Sequence, residues 1–252
     1  MLVKTPVLFN VVAIDMGMQT TADVTKHRDD QARKIIFPEG TECTPEMVAS
    51  LEGFAHRLTS TSPQLYTQSV LIFELVMTVL QHAMILYSQI LPKELGSISW
   101  TFDAKDKTKI TDWEDWWKSM IAPCLQSMAL GTPFIGLKEG DYFYFDRAFQ
   151  IETAPWYNKI SGNDAPYCTS IGAVLKDFAF ESGINYGLEM IDILTNAIRR
   201  ALSGHLGEAG WGSISKLIPK MRDPHRVNLF SFAEPKPTEV RYASVIRKLD
   251  RT

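Results

Sequence analysis

The stretch from Ser69 to Leu91, SVLIFELVMTVLQHAMILYSQIL, narrows most what this chain can fold into. A run so long and apolar is a single helix, and it approaches the ~20 residues that a bilayer requires. It carries Glu74, Gln81, His82 and Gln89. Each is costly in lipid. The stretch therefore reads as the central helix of a protein core, with no membrane span. Ser62 as cap and Pro63 at the first helical position mark its start, and Pro92 marks its end.

Around this helix the sequence alternates between strand and helix patterns. PVLFNVVAID (6–15) reads as a strand buried on both faces. Helices are predicted over 20–36, over 45–58 with Thr44 as cap, and over 111–128, where acidic residues favour the first turn. GSISWTFDAKD (96–106) reads as a strand ending near Asp103. PFIGLKEGDYFYFDRAF (133–149) suggests a short strand and an aromatic turn, and 150–169 a loop. A helix near 170–177 leads through FAFESG to a clear one at GLEMIDILTNAIRRAL (187–202). Beyond Gly204 a helix at 213–221 and a strand at 226–232 are predicted. This alternation favours an α/β domain over 1–204, with 205–252 as a C-terminal extension packing on it.

Charge separates those two parts. Residues 216–252 hold nine Lys/Arg against four Asp/Glu, while the whole chain carries −3. A basic tail suits contact with a polyanion, although a solvated surface is the commoner reason for such a composition. The three cysteines are widely spaced and form no CxxC or Cys/His cluster. Reduced thiols in the cytoplasm are expected, with no zinc site. The five histidines show no ligand spacing, and neither a phosphate-binding loop nor a GxSxG elbow is present.

Two predicted strands end in aspartate, Asp15 and Asp103. Carboxylates at strand ends, joined by one from a helix, supply the hard oxygen ligands that Mg²⁺ prefers. Asp also favours turns, so strand-end aspartates are common without any metal. On the 187–202 helix, Glu189, Asp192, Asn196, Arg199 and Arg200 form one polar strip about 100° wide. Asp192 lies at the edge of that strip, where it either faces water or closes a metal site.

Taken in order, VVAID, SPQLYTQSV, GSISWTFDAKD, GDYFYFDRAF and GLEMIDILTNAIRRAL resemble the bacterial family known as domain of unknown function 3800. Its proteins are similar to ribonuclease H-like nucleases of mobile elements and phage defence. The likeness spans about 6–232. It is carried best by Asp103 with Lys105, by Glu181-Ser182, and by Gly187, Asp192 and Arg199-Arg200. Glu189 stands where the family usually has Gln, and Ile191 where it has Ala. The resemblance implies a ribonuclease H-like mixed sheet flanked by helices, with the long core helix inserted. It also implies Asp15, Asp103 and Asp192 as metal ligands, with Glu181 beside them as a further catalytic carboxylate. Family members begin with a strand ending in Asp-Glu-(Ser or Ala)-Gly. No such segment occurs here, so an N-terminally incomplete fold is expected.

Two functions follow as expectations. The first is a nuclease hydrolysing phosphodiester bonds with Mg²⁺ or Mn²⁺. It would act on DNA or RNA, with Lys105, Arg199, Lys216, Lys220 and Arg222 meeting backbone phosphates. The second is a catalytically inactive binding or assembly subunit, whose open sheet edge is covered by a protein partner or by self-association. A third, unrelated α/β enzyme lined by Trp100, Trp113, Trp116 and Trp117 competes with the simpler assignment of those rings to the core.

Overall fold

A computed structural model describes residues 7–35, 44–106, 108–109, 111–131, 134–153, 166–218, 227–233 and 240–251. The protein is a mixed α/β chain rich in helix. Strand β1 (Val11–Ile14) leads into α1 (Thr21–Ile35), α2 (Pro45–Ser60) and α3 (Pro63–Ile90). After β2 (Trp100–Asp103), α4 (Asp112–Trp116) runs through a π-helical turn (Trp117–Ile121) into α5 (Ala122–Gly131). Then come α6 (Phe143–Phe149), β3 (Gln150–Glu152), β4 (Tyr167–Thr169), α7 (Ile171–Val174) and β5 (Phe178–Glu181). The chain continues with α8 (Tyr186–Leu202), α9 (Glu208–Trp211), β6 (Val227–Phe230) and α10 (Ala243–Arg251). Among the described residues the strands form three two-stranded sheets, β1–β6, β2–β5 and β3–β4.

The contacts divide the chain into two compact units, and the division falls within α3, between Glu74 and Leu75. Residues 205–218 and 240–251 pack within the first unit and 227–233 within the second.

The first unit contains β2–β5, β3–β4, α4 to α10 and the second half of α3. Met120, Ile121, Leu125, Phe145, Ile171 and Val174, each at most 1% exposed, form its core. Burying each such side chain contributes about 1.5–3 kcal/mol. Two glutamines act as backbone surrogates there. Gln81 on α3 donates to the Ile135 carbonyl at 2.7 Å and accepts from its N–H at 2.8 Å. Gln126 on α5 donates to the Thr169 carbonyl at 3.0 Å and accepts from Ile171 N–H at 2.8 Å. The π turn ends just before Pro123, which has no N–H to return to Ser119.

The second unit contains α1, α2, the first half of α3 and the β1–β6 pair, with α1 packed on α2. His27 is its organising side chain. Its Nδ1 meets the Tyr66 hydroxyl at 2.7 Å, and its ring lies 5.2 Å from Phe232 and 6.0 Å from Phe230. Gln19 ties the end of β6 by accepting from Phe232 N–H at 3.0 Å. A cleft of about 340 Å³ between α1 and α2 has Ala32 and Ala55 in its lining, with Asp29, Arg33, Glu52 and His56 around them.

In α3 the buried side chains Tyr66, Val70, Phe73, Val76, Leu80 and Met84 recur every three or four residues, the period of one helical face. By length and hydropathy the helix is able to cross a bilayer. Four of its polar residues have these protein partners: Glu74 with Asn228, Gln81 with Ile135, His82 with Asn10, and Gln89 with the Ile85 carbonyl. Ser62 caps the helix through Leu65 N–H at 3.2 Å, as its sequence predicts.

Three segments depart from expectation. The aromatic run at 143–149 is helix α6 and not a turn, with Phe145 and Phe149 turned into the core. The ends of the supposed 150–169 loop pair as antiparallel strands, with Ile151 opposite Cys168. FAFE is a strand in its own right, and it pairs with β2.

Candidate functional site

Strands β2 and β5 run parallel, with Trp100 beside Phe178, Phe102 beside Phe180 and Asp103 beside Glu181. Alternation sorts the side chains by face. Trp100, Phe102, Phe178 and Phe180 share one side, where Trp117 lies 4.2 Å from Phe102 and 6.4 Å from Phe180, ring centre to ring centre. Thr101, Asp103, Ala179 and Glu181 share the other. The aromatic side anchors the pair of strands. The other side presents two carboxylates on neighbouring strands, about 4.8 Å apart in the backbone. Both stand at the carboxyl ends of these parallel strands. Sequence reasoning named both acids, and the fold brings them together.

The chain leaving each strand is held by a side chain. Past β2, Ala104 N–H extends the ladder to the Glu181 carbonyl at 2.9 Å. Glu114, only 4% exposed on α4, then accepts from Lys105 N–H at 3.2 Å through Oε1. Its Oε2 accepts from the Thr111 N–H and, at 2.9 Å, from the Thr111 hydroxyl. The Thr111 N–H first, then its hydroxyl and the Lys105 N–H, hold the Glu114 carboxyl below the usual carboxylate range against the opposing effect of burial. Asp106 folds the intervening loop by accepting from Thr108 N–H and hydroxyl, both at 2.8 Å.

Past β5, Asn185 caps α8, its Oδ1 accepting from Gly187 N–H at 2.9 Å and Leu188 N–H at 3.2 Å. Its Nδ2 donates to Glu181 Oε2. One amide thus orients the Glu181 carboxylate and starts the helix. At the far end Gly204, with φ of +74°, closes α8: its N–H bonds to Ala201 O at 3.0 Å and His205 N–H to Arg200 O at 2.7 Å. This left-handed glycine exit satisfies carbonyls that the helix leaves open. Helix α8 packs on β2, α9 and α10, and Ile198 and Ala201 in its second half are buried.

The other expected residues are placed differently. Asp192 is exposed on α8, in the strip with Glu189, Asn196, Arg199 and Arg200, where Asn196 accepts from Arg199 at 3.2 Å. Asp15 ends β1, and its carboxylate accepts from Gly17 N–H at 2.9 Å, capping a short 3₁₀ turn. It belongs to the second unit, while Asp103 and Glu181 belong to the first. Lys105, Arg199 and Lys216 are exposed, whereas Lys220 and Arg222 lie outside the described residues. Among the described residues, no group of three or more His, Cys, Asp or Glu side chains is arranged to hold a metal ion. Asp103 and Glu181 supply two carboxylates, whose hard oxygens suit Mg²⁺ or Mn²⁺.

Sequence reasoning missed Glu114 and Asn185. Both carried a signal: Thr111 followed three residues later by Glu114 is a capping-box pattern, and Asn185 directly precedes an apolar-periodic run. Comparison with protein-family models, curated proteins and solved structures finds no match to this chain.

Proposed function

We propose that the protein is a metal-dependent nuclease of ribonuclease H-like kind, with Asp103 and Glu181 as its principal carboxylates. The observation that carries this reading is their side-by-side register at the carboxyl ends of β2 and β5. When bound, Mg²⁺ or Mn²⁺ supplies charge neutralisation at phosphorus and a water of lowered pKa. The chain's own contribution is positional. Asn185 orients Glu181, Glu114 fixes the backbone two residues past Asp103, and Lys105 at that position carries a cation for a backbone phosphate. Asp192 is the third candidate donor, and Arg199 and Lys216 are further phosphate contacts on DNA or RNA. Asp15, whose carboxylate already serves its own turn, has no part in this reading. The free thiols of Cys124 and Cys168 support a reducing, cytoplasmic setting, with phage defence or mobile-element maintenance as the biological context.

The test is cleavage of single- and double-stranded DNA, RNA and hybrid substrates with Mn²⁺ or Mg²⁺, alongside Mn²⁺ binding. Asp103→Asn and Glu181→Gln are each expected to slow cleavage at least ~100-fold and to weaken Mn²⁺ binding, and Asp192→Asn decides whether that residue joins them. Absence of both cleavage and Mn²⁺ binding in the purified chain would overturn the proposal.

A second reading has its own observation. Tyr186 and Ile193 on α8 are 80% and 69% exposed, which is unusual for large apolar side chains on one helix. That surface favours an assembly subunit, in which the Asp103→Asn protein would keep its biological activity.

A further inference from the structure

The second half of α8 is fixed to the body of its unit, but its first half presents an apolar stripe to solvent. Tyr186, Met190 and Ile193 follow one another at i, i+4 and i+7, the spacing of a two-helix seam. Tyr186 is 80% exposed, Ile193 69%, and Ile184 just before the helix 83%. Ala197 and then Arg200 continue the same line. The flanking charges are segregated along the axis, with Glu189 and Asp192 in the first half and Arg199 and Arg200 in the second.

We propose that α8 is a self-pairing surface on which two copies of the chain meet, their helices antiparallel about a two-fold axis near Ile193. The charges select this occupant and this direction. A parallel pair would set Glu189 beside Glu189 and Arg200 beside Arg200. The antiparallel pair lays the acidic half of each helix along the basic half of the other. It also opposes the two helix dipoles. Ile193 meets its own counterpart at the axis. Tyr186 and Arg200, each seven residues from Ile193, come opposite one another across the seam, where guanidinium and ring attract. A contact that pairs one patch with itself closes as a dimer and leaves no open end. The surface is independent of the carboxylate pair, so Asp103→Asn leaves it intact and its failure says nothing about the nuclease reading.

Sedimentation of the full chain across the micromolar range tests this. The expected particle is a dimer of the 28.5 kDa chain. Ile193→Asp, at an exposed position that keeps the fold and its circular dichroism, is expected to weaken dimerisation at least about tenfold. Glu189→Arg and Arg200→Glu are each expected to weaken it, and the two together to restore it. A monomer throughout the range, a dimer indifferent to Ile193→Asp, or a double charge reversal that restores nothing overturns the proposal. So does a monomer that instead binds anionic phospholipid vesicles through this stripe.

Discussion

Two strands of this protein end in aspartate, and the two ends are built for different purposes. At the end of β1, Asp15 turns back on its own chain and caps a 3₁₀ turn through Gly17 N–H. At the end of β2, Asp103 stands beside a second carboxylate from another strand. The turn after β2 is made by other residues, Asp106 within the loop and Glu114 from the next helix. Asp15 uses one carboxylate oxygen to close its own turn. Asp103 leaves the turn after β2 to other residues. The same two-letter signature, a strand and then Asp, therefore encodes a structural part in one unit and a candidate site in the other. The cleavage and Mn²⁺ tests of Asp103 measure the functional half of this contrast. The following variants probe how the two ends are held.

The largest effect on folding is expected at Glu114. Glu114→Ala leaves the N–H groups of Lys105 and Thr111 and the Thr111 hydroxyl without their acceptor, and it frees the loop that follows Asp103. The thermal midpoint is expected to fall by several degrees, and the Mn²⁺ affinity of the Asp103–Glu181 pair to fall with it. The pH dependence has a definite sign. The folded state holds this carboxyl below its ordinary value of 4.5, so its contribution is complete above that value. It is lost as pH falls through the folded value. Glu114→Gln is expected to flatten that acid limb in a thermal-unfolding series, and an unchanged limb would assign acid sensitivity elsewhere.

That the β2 end depends on Glu114 was half written in the sequence. Thr111 and Glu114 have capping-box spacing, but the spacing alone does not show that the second carboxylate oxygen also reaches Lys105. The bounds of α3 were legible because Ser62-Pro63 at its start and Pro92 after its end are local signals. The strand ending at Asp103 was legible because alternation is local too. Pairing was not. Nothing near FAFE announces that it joins β2 and sets Glu181 beside Asp103, since register is decided by contacts remote in sequence. The aromatic run of α6 misled for a related reason. The preceding Gly140-Asp141 reads locally as a turn, and only burial of Phe145 and Phe149 on one helical face makes the run a helix. Helix α10 was missed because its amphipathic pattern sits inside a tail dominated by charge.

The unit that holds Asp15 has its own pH response, of different origin. His27 is pushed below the ordinary histidine value of 6.5, first by burial and then by Lys34, with Asp30 opposing. The Tyr66, Phe230 and Phe232 rings pack around it. The folded state favours the neutral ring, so its contribution is complete above about 6.5 and is lost as pH falls below that value. His27→Gln is expected to remove this part of the acid destabilisation while leaving the lower limb governed by Glu114. If His27→Gln and Glu114→Gln erased the same limb, the two strand ends would not be held independently.

The smallest effect is expected at Asp15, and it is the one that decides the comparison. Asp15→Ala removes a single acceptor from a turn at the surface, a loss of about 0.5–1 kcal/mol by analogy with capping residues. Asp15→Asn keeps an oxygen in the same place and is expected to be close to neutral in a denaturant titration. Both variants are expected to bind Mn²⁺ as the parent does, because the carboxylate serves its turn through hydrogen-bond geometry and not through charge. Were Asp15→Asn to lose Mn²⁺ as Asp103→Asn does while its stability stayed unchanged, the carboxylate would have a second task that Gly17 N–H does not reveal. The division between a structural end and a functional end would then be wrong. A loss of stability alone, confined to Asp15→Ala, leaves that division intact and identifies the turn as the reason this strand ends in aspartate.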